Sequence, residues 1–182
     1  MEARRNILDD FCHRFCCIAE KHCQYIVVSG FVAISSGRVR GTEDIDLILE
    51  RLDSNRFGAL HQDLLDEGFR CLQSDDEDEI LSYLQGNIPV RYVMEGSMLP
   101  QMEVKFAKDA LDEYQLQTRV KLPKTGIDVW FSSIPMNIAF KEILLKSDKD
   151  IKDAEHLRNA YPELIDEQEL QKIGALIRRY RL

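Results

Sequence analysis

Residues 25–50 read YIVVSGFVAISSGRVRGTEDIDLILE, from Tyr25 to Glu50. The run Tyr25 to Ser29 is apolar and β-branched, as expected of a strand at the centre of a sheet. A tight Ser29-Gly30 turn follows, then a short helix over Phe31 to Ser36. Gly37 and Gly41 bracket a loop that delivers Asp44 to Leu49 as a second strand. Residues two apart on a strand point to one face, so Asp44 and Asp46 project together while Ile45 and Leu47 face the other way. At a rise of about 3.3 Å per residue the two carboxylates lie roughly 7 Å apart or less and repel each other. A divalent cation between them is the usual remedy, and a glycine-containing turn beside it suits a phosphate.

Outward from this stretch, helices and strands alternate. Ile7, Leu8, Phe11, Phe15, Ile18 and Ala19 form an apolar stripe of helical period, predicting a helix over 3–22. Asn55 to Glu67 reads as helical and closed by Gly68, and Phe69 to Leu72 as a short strand. The charged run Ser74 to Glu79 is a solvated loop or helix start. Ile88 to Met94 and Met102 to Phe106 read as a hairpin. In its second strand Met102, Val104 and Phe106 share one face, leaving Glu103 and Lys105 on the other. Gln117 to Leu122 and Ile127 to Phe131 read as a further strand pair around Pro123 and Gly126. Helices are expected over Pro135–Lys146, Asp148–Tyr161 and Asp166–Tyr180, the last opened by a capping box of Asp166 and Glu169. The expected class is α/β (α+β): a mixed sheet flanked by helices over residues 1–133, with a C-terminal helical cluster over 134–182 packed on it.

Composition narrows the function classes. Of 182 residues, 31% are charged and 45% hydrophobic, which is globular and soluble in character. No apolar run approaches the ~20 residues that cross a bilayer, so no membrane partner is expected. The N-terminus, MEARRNILDD, turns acidic where a signal peptide would become apolar, and a cytoplasmic protein is the expectation. With 32 acidic against 24 basic residues the net charge is −8, which argues against extended nucleic-acid binding. A local basic groove remains open, since Arg38 and Arg40 flank the turn and Arg178, Arg179 and Arg181 crowd the C-terminus. Cys12, Cys16, Cys17 and Cys23 stand close to His13 and His22. A zinc site is one reading, but Cys12 and Cys16 fall on the apolar stripe, where a free cysteine behaves as a small hydrophobe.

The Ser29-Gly30 turn, the spacer of 13 residues after it and Asp44-Ile45-Asp46-Leu47 together resemble the nucleotidyltransferase superfamily, the polymerase β-like fold. Its hallmark is an apolar residue, Gly, then Gly or Ser, a spacer of about this length, and Asp-h-Asp-h, where h is apolar. Arg40-Gly41-Thr42 and Lys152-Asp153-x-x-His156-Leu157, with Lys141 on the preceding helix, resemble its small bacterial and archaeal members, which include toxin components of toxin–antitoxin pairs. The likeness spans roughly residues 3 to 162. One position departs: Ser29 stands where the family has its first glycine, and serine lacks glycine's tolerance of positive φ.

The resemblance implies transfer of a nucleoside monophosphate from an NTP to an acceptor hydroxyl, with release of pyrophosphate. The acceptor would be a protein, a tRNA end or a small molecule, and an antitoxin protein would be a partner. It implies Mg²⁺ or Mn²⁺ held by Asp44, Asp46 and a third carboxylate from a neighbouring strand. Strand order and face favour Glu103 for that third ligand, with Asp128, between Ile127 and Val129, as the competitor. Ser29 and Gly30 would cradle the phosphates, with Arg40, Thr42 and Lys105 beside them. Lys152 and Asp153 either face the cleft and position the acceptor or base, or form a salt-bridge stripe on the helix surface. His156 is expected to be a structural hydrogen-bonding residue. The alternative function is a nucleotidyltransferase fold without turnover, serving as a nucleotide-binding or protein-interaction module. A zinc-binding interaction protein built on the Cys/His cluster is a third.

Overall fold

The structure is a computed structural model and describes residues 6–39 and 41–182. Its first helix, α1 (Ile7–Ala19), opens on a reciprocal cap in which the Asn6 side chain accepts from the Asp9 N–H and Asp9 accepts in return. Its buried face carries Phe11, Phe15, Ile18 and Ala19 of the predicted stripe together with Cys12 and Cys16, while Ile7 is exposed. Next come β1 (Tyr25–Val28), α2 (Gly30–Ser35), β2 (Asp44–Leu49), α3 (Ser54–Asp66), β3 (Phe69–Cys71), α4 (Glu77–Gln85), β4 (Val90–Met94) and β5 (Gln101–Phe106). The chain continues through α5 (Ala110–Gln117), β6 (Val120–Lys121), β7 (Trp130–Phe131), α6 (Ile134–Ala139), α7 (Asp148–Ala160) and α8 (Glu167–Arg181). Between α6 and α7, Phe140–Leu145 is π-helical, one residue wider per turn than an α-helix.

The strands form one mixed sheet in the order β3-β4-β5-β2-β1-β7-β6. The pairs β2·β5 and β1·β7 are parallel and the other pairs antiparallel. One face is packed by α1, α3 and α4 through an edge-to-face aromatic cluster in which Phe15 meets Phe69 and Tyr92. That apolar cluster continues without a break into Ile134, Ile138, Leu157 and Ile173 of the C-terminal helices. The opposite face is covered over one end only. There Leu116 of α5 packs on Ile26, Ile48 and Ala107, and the other end stays open.

Two regions differ from the sequence expectation. The segment read as a strand pair over 117–131 keeps only two-residue strands, joined by a 3₁₀ turn at Pro123–Thr125. Just before it lies α5, which the sequence did not announce. Its inward face carries Asp112 and Gln115 beside Leu111 and Leu116, so no apolar stripe marks it.

Candidate active site

On β2, Ile45 and Leu47 are fully buried while Asp46 is half-buried and Asp44 exposed on the opposite face. Pairing fixes what stands beside them. Asp46 lies opposite Val28 on β1 and alongside Glu103 on β5, and Glu103 lies opposite Arg91 on β4. Val28, Asp46, Glu103 and Arg91 therefore form one row across the open face, with neighbouring strands about 4.8 Å apart. Arg91 Nη2 donates to Glu103 Oε2 at 2.6 Å. Lys105, two residues on from Glu103, shares that face. Burial pushes the Asp46 carboxyl above its ordinary value. Lys105 opposes the rise, the Glu103 and Asp44 charges add to it, and a hydrogen bond from the Ser29 hydroxyl pulls it back.

Ser29 ends β1 with φ 66° and ψ −133°. Side chains with a Cβ are disfavoured there by about 1–2 kcal/mol, and such strain collects at functional sites. The departure noted in sequence thus falls on the residue that needs glycine's freedom. What the serine adds is a hydroxyl on Asp46. Gly30 is buried as the first residue of α2. Thr42 Oγ1 donates to the Asp44 carbonyl at 3.1 Å and so fixes the entry into β2. Arg40 lies outside the described residues.

A cleft of about 360 Å³ opens from Ser29 and Asp46 along this face. Its floor is Val28, Asp46, Ile48 and Lys105; α5 supplies Asp112 and Gln115 to one wall. The C-terminal helices supply Asn137, Phe140, Lys141 and Arg181 to the other. Arg181 Nη2 donates to Asp112 Oδ1 at 2.7 Å, and its Nη1 donates to Asp109, the N-cap of α5, so α8 is clasped to α5. Burial alone would raise the Asp109 carboxyl. The Arg181 hydrogen bond outweighs it, with those from the Asp112 and Leu111 N–H groups, and holds Asp109 below its ordinary value.

On the Lys152-Asp153-x-x-His156 helix, Asp153 neither faces the cleft nor lies on the helix surface. Asp153 is fully buried, accepting from Arg38 Nε at 3.1 Å through one oxygen and from Lys141 Nζ at 3.1 Å through the other. His156 Nε2–H donates to the Ser36 carbonyl at 3.0 Å, and the hydroxyls of Tyr161 and Ser36 lie 3.1 Å apart. α7 therefore braces the far end of α2, and His156 is the structural hydrogen-bonding residue expected. Lys152 is exposed and is not among the residues lining the cleft.

Asp128 stands elsewhere. Val27 pairs with Phe131, so Asp128 sits level with the start of β1, about 13 Å along the strands from the Asp46 row and two strands across. Its side chain is 81% exposed and lies 2.9 Å from Lys121. It does not join Asp46. Asp44, Asp46 and Glu103 are an all-oxygen donor set, suited to Mg²⁺ or Mn²⁺. Among the described residues, no three His, Cys, Asp or Glu side chains stand close enough as placed to share one ion. Glu103 would serve through its second oxygen or after leaving Arg91. On α1, Cys12 and Cys16 are fully buried, whereas Cys17 is exposed 3.6 Å from His13 Nε2.

No family model matches the chain, and no curated protein matches it in sequence. Solved structures do. The aminoglycoside nucleotidyltransferase ANT(2'')-Ia, an antibiotic-resistance factor studied in solution, superposes with a TM-score of 0.55 at 18% identity over 94% of this chain and 91% of that one. Its crystal structure in complex with adenylyl-2''-tobramycin gives 0.55 at 18% identity over 97% and 100%. A nucleotidyltransferase-like protein from Paracoccidioides brasiliensis gives 0.51 at 20% identity over 92% and 87%. The chain has the nucleotidyltransferase fold.

Proposed function

We propose that this protein is a nucleotidyltransferase that moves a nucleoside monophosphate from an NTP to an acceptor hydroxyl and releases pyrophosphate. The observation that carries this is the Asp46–Glu103 pair: a carboxylate lining the cleft and a second beside it on the neighbouring strand, next to a turn whose serine holds a glycine conformation. Asp44 and Asp46 would hold the metal, with Glu103 as third ligand. Mg²⁺ or Mn²⁺, when bound, supplies Lewis-acid stabilisation of the triphosphate and makes the acceptor hydroxyl more acidic.

The chain's own groups do the rest. Backbone N–H groups of Ser29 and Gly30 cradle the β- and γ-phosphates at the turn. The Ser29 hydroxyl favours the charged form of Asp46 against the effect of burial. Lys105 and Thr42 answer the phosphate charge, a role the sequence also assigns to Arg40. Asp153 acts at one remove, as a positioning residue that holds the end of α2 through Arg38. ANT(2'')-Ia, seen with adenylyl-2''-tobramycin, supports a small-molecule hydroxyl as one acceptor class; a protein side chain and a tRNA end are the others. A toxin paired with an antitoxin is the setting suggested by the likeness to small family members. No helix among the described residues is long and apolar enough to cross a membrane.

The test is incubation with labelled ATP, GTP, CTP and UTP in Mg²⁺ or Mn²⁺. Metal-dependent pyrophosphate release or self-labelling that disappears in Asp46→Ala supports the enzyme. Identical behaviour of wild type and variant, without metal-dependent nucleotide binding, refutes it. One observation favours the second reading, a nucleotide-binding module without turnover: Arg91 already engages Glu103. Nucleotide binding without pyrophosphate release would select that reading.

A further inference from the structure

The wall of the cleft opposite α5 holds a polar side chain whose bonding is incomplete. Asn137 is 4% exposed and lines the cleft beside Met136, Phe140 and Leu144. Its Nδ2 donates to the Ser132 carbonyl at 3.0 Å and the Ser133 carbonyl at 2.9 Å. Both partners can only accept, so they fix which end of the amide is nitrogen. Oδ1 is thereby turned away from the α6 cap, and among the described residues no donor reaches it. A buried acceptor without a partner is costly, and buried polar groups are bonded in the great majority of cases. The other polar groups of this part of the cleft are already engaged. Gln115 Oε1 accepts from Ser132 Oγ at 3.0 Å, and Asp112 accepts from Arg181, from Gln115 and from the Lys108 N–H.

We propose that Asn137 Oδ1 is the nucleoside-reading group of the site, accepting a hydrogen bond from a donor on the bound nucleotide. This rests on the nucleotidyltransferase reading above and extends it to a residue outside the catalytic strand. The flanking Met136, Phe140 and Leu144 offer apolar contact to a base or ribose but no competing polar partner. Two groups present the required chemistry, a base N–H and a ribose hydroxyl.

The experiment measures equilibrium binding with Ca²⁺ in place of Mg²⁺ to prevent turnover. The four NTPs are compared on wild type, and the tightest is followed by its analogues lacking the base donor, the 2′-hydroxyl or the 3′-hydroxyl. One analogue is expected to bind about tenfold more weakly. Asn137→Ala is expected to weaken the parent nucleotide by a similar factor and to bind parent and that analogue alike, the coupling expected of a direct contact. The analogue that shows it identifies the donor. Equal binding of all analogues by wild type overturns the proposal even if Asn137→Ala does not fold. Continued discrimination by Asn137→Ala overturns it too, because the donor is then read elsewhere. NTP binding without either signature leaves the enzyme reading standing alone; no NTP binding at all removes both.

Discussion

Asp153 and Arg38, 115 residues apart in the chain, meet at 3.1 Å with the carboxylate fully buried. Lys141, itself buried, takes the other oxygen. Removing the anion from between two cations strips both of their shared partner and leaves buried Lys141 only Asp150, at 3.6 Å, which costs about 3–5 kcal/mol. Asp153→Ala should lower the unfolding free energy by that order in urea titration. Arg38→Ala, whose side chain is 24% exposed, should cost less. Equal losses, or losses below about 1 kcal/mol for both, would mean that the cluster does not brace the fold.

Ser29→Ala should raise the Asp46 pKa, because the hydroxyl that favours the charged form is gone. The readout is carboxyl ¹³C chemical shift against pH. Ser29→Val adds a branched Cβ at φ 66° and should destabilise by about 1–2 kcal/mol beyond Ser29→Ala. A Ser29→Val protein as stable as Ser29→Ala would mean that the turn relaxes without cost.

Asp46→Asn should stabilise the metal-free protein at neutral pH while abolishing metal-dependent nucleotide binding. The folded pKa of Asp46 is raised above its unfolded value, chiefly by burial. Below the unfolded value both states are protonated and the residue costs nothing. The penalty builds as pH rises through the folded value and is complete above it. The Tm gain of Asp46→Asn over wild type should therefore grow from pH 4 to pH 7 and vanish in acid. A gain that shrinks with rising pH contradicts this sign.

Glu103→Gln and Asp128→Asn separate the two candidates for a third ligand. Glu103→Gln should weaken Mn²⁺-dependent nucleotide binding. Asp128→Asn should leave it unchanged and alter stability by less than about 0.5 kcal/mol, since its partner Lys121 holds a largely exposed group. Isothermal titration of both variants decides. A loss confined to Asp128→Asn would reverse the assignment.

How much of this was legible in the sequence varied with the kind of information each residue carries. β2 was legible because alternation along Asp44-Ile45-Asp46-Leu47 is local and needs no partner. The turn was legible too, and the misfit of Ser29 with it. That β5 lies beside β2 is a tertiary fact, and although β4 and β5 read as a hairpin, the register that sets Arg91 against Glu103 could not be read from either strand. Asp153 was misjudged for another reason. It adjoins the apolar stripe of α7, and a charged residue is read as exposed unless its partners are known; here they come from the loop after α2 and the π-helical stretch. α5 hid because its inward residues include an aspartate and a glutamine. Asn137 carried no signal, since an asparagine within an apolar helix looks the same bonded or unbonded.

The π-helical stretch Phe140–Leu145 sets the angular phase between α6 and α7. Each residue of an α-helix advances the chain by about 100°, so deleting one residue here would tighten the coil and swing α7 by about that angle. Asn137, which precedes the stretch, would keep its bearing, while Asp153 would turn away from Lys141. The length of this six-residue segment is therefore a constraint in its own right, independent of which side chains occupy it. Insertions and deletions should be far less tolerated here than in the exposed loop before β5.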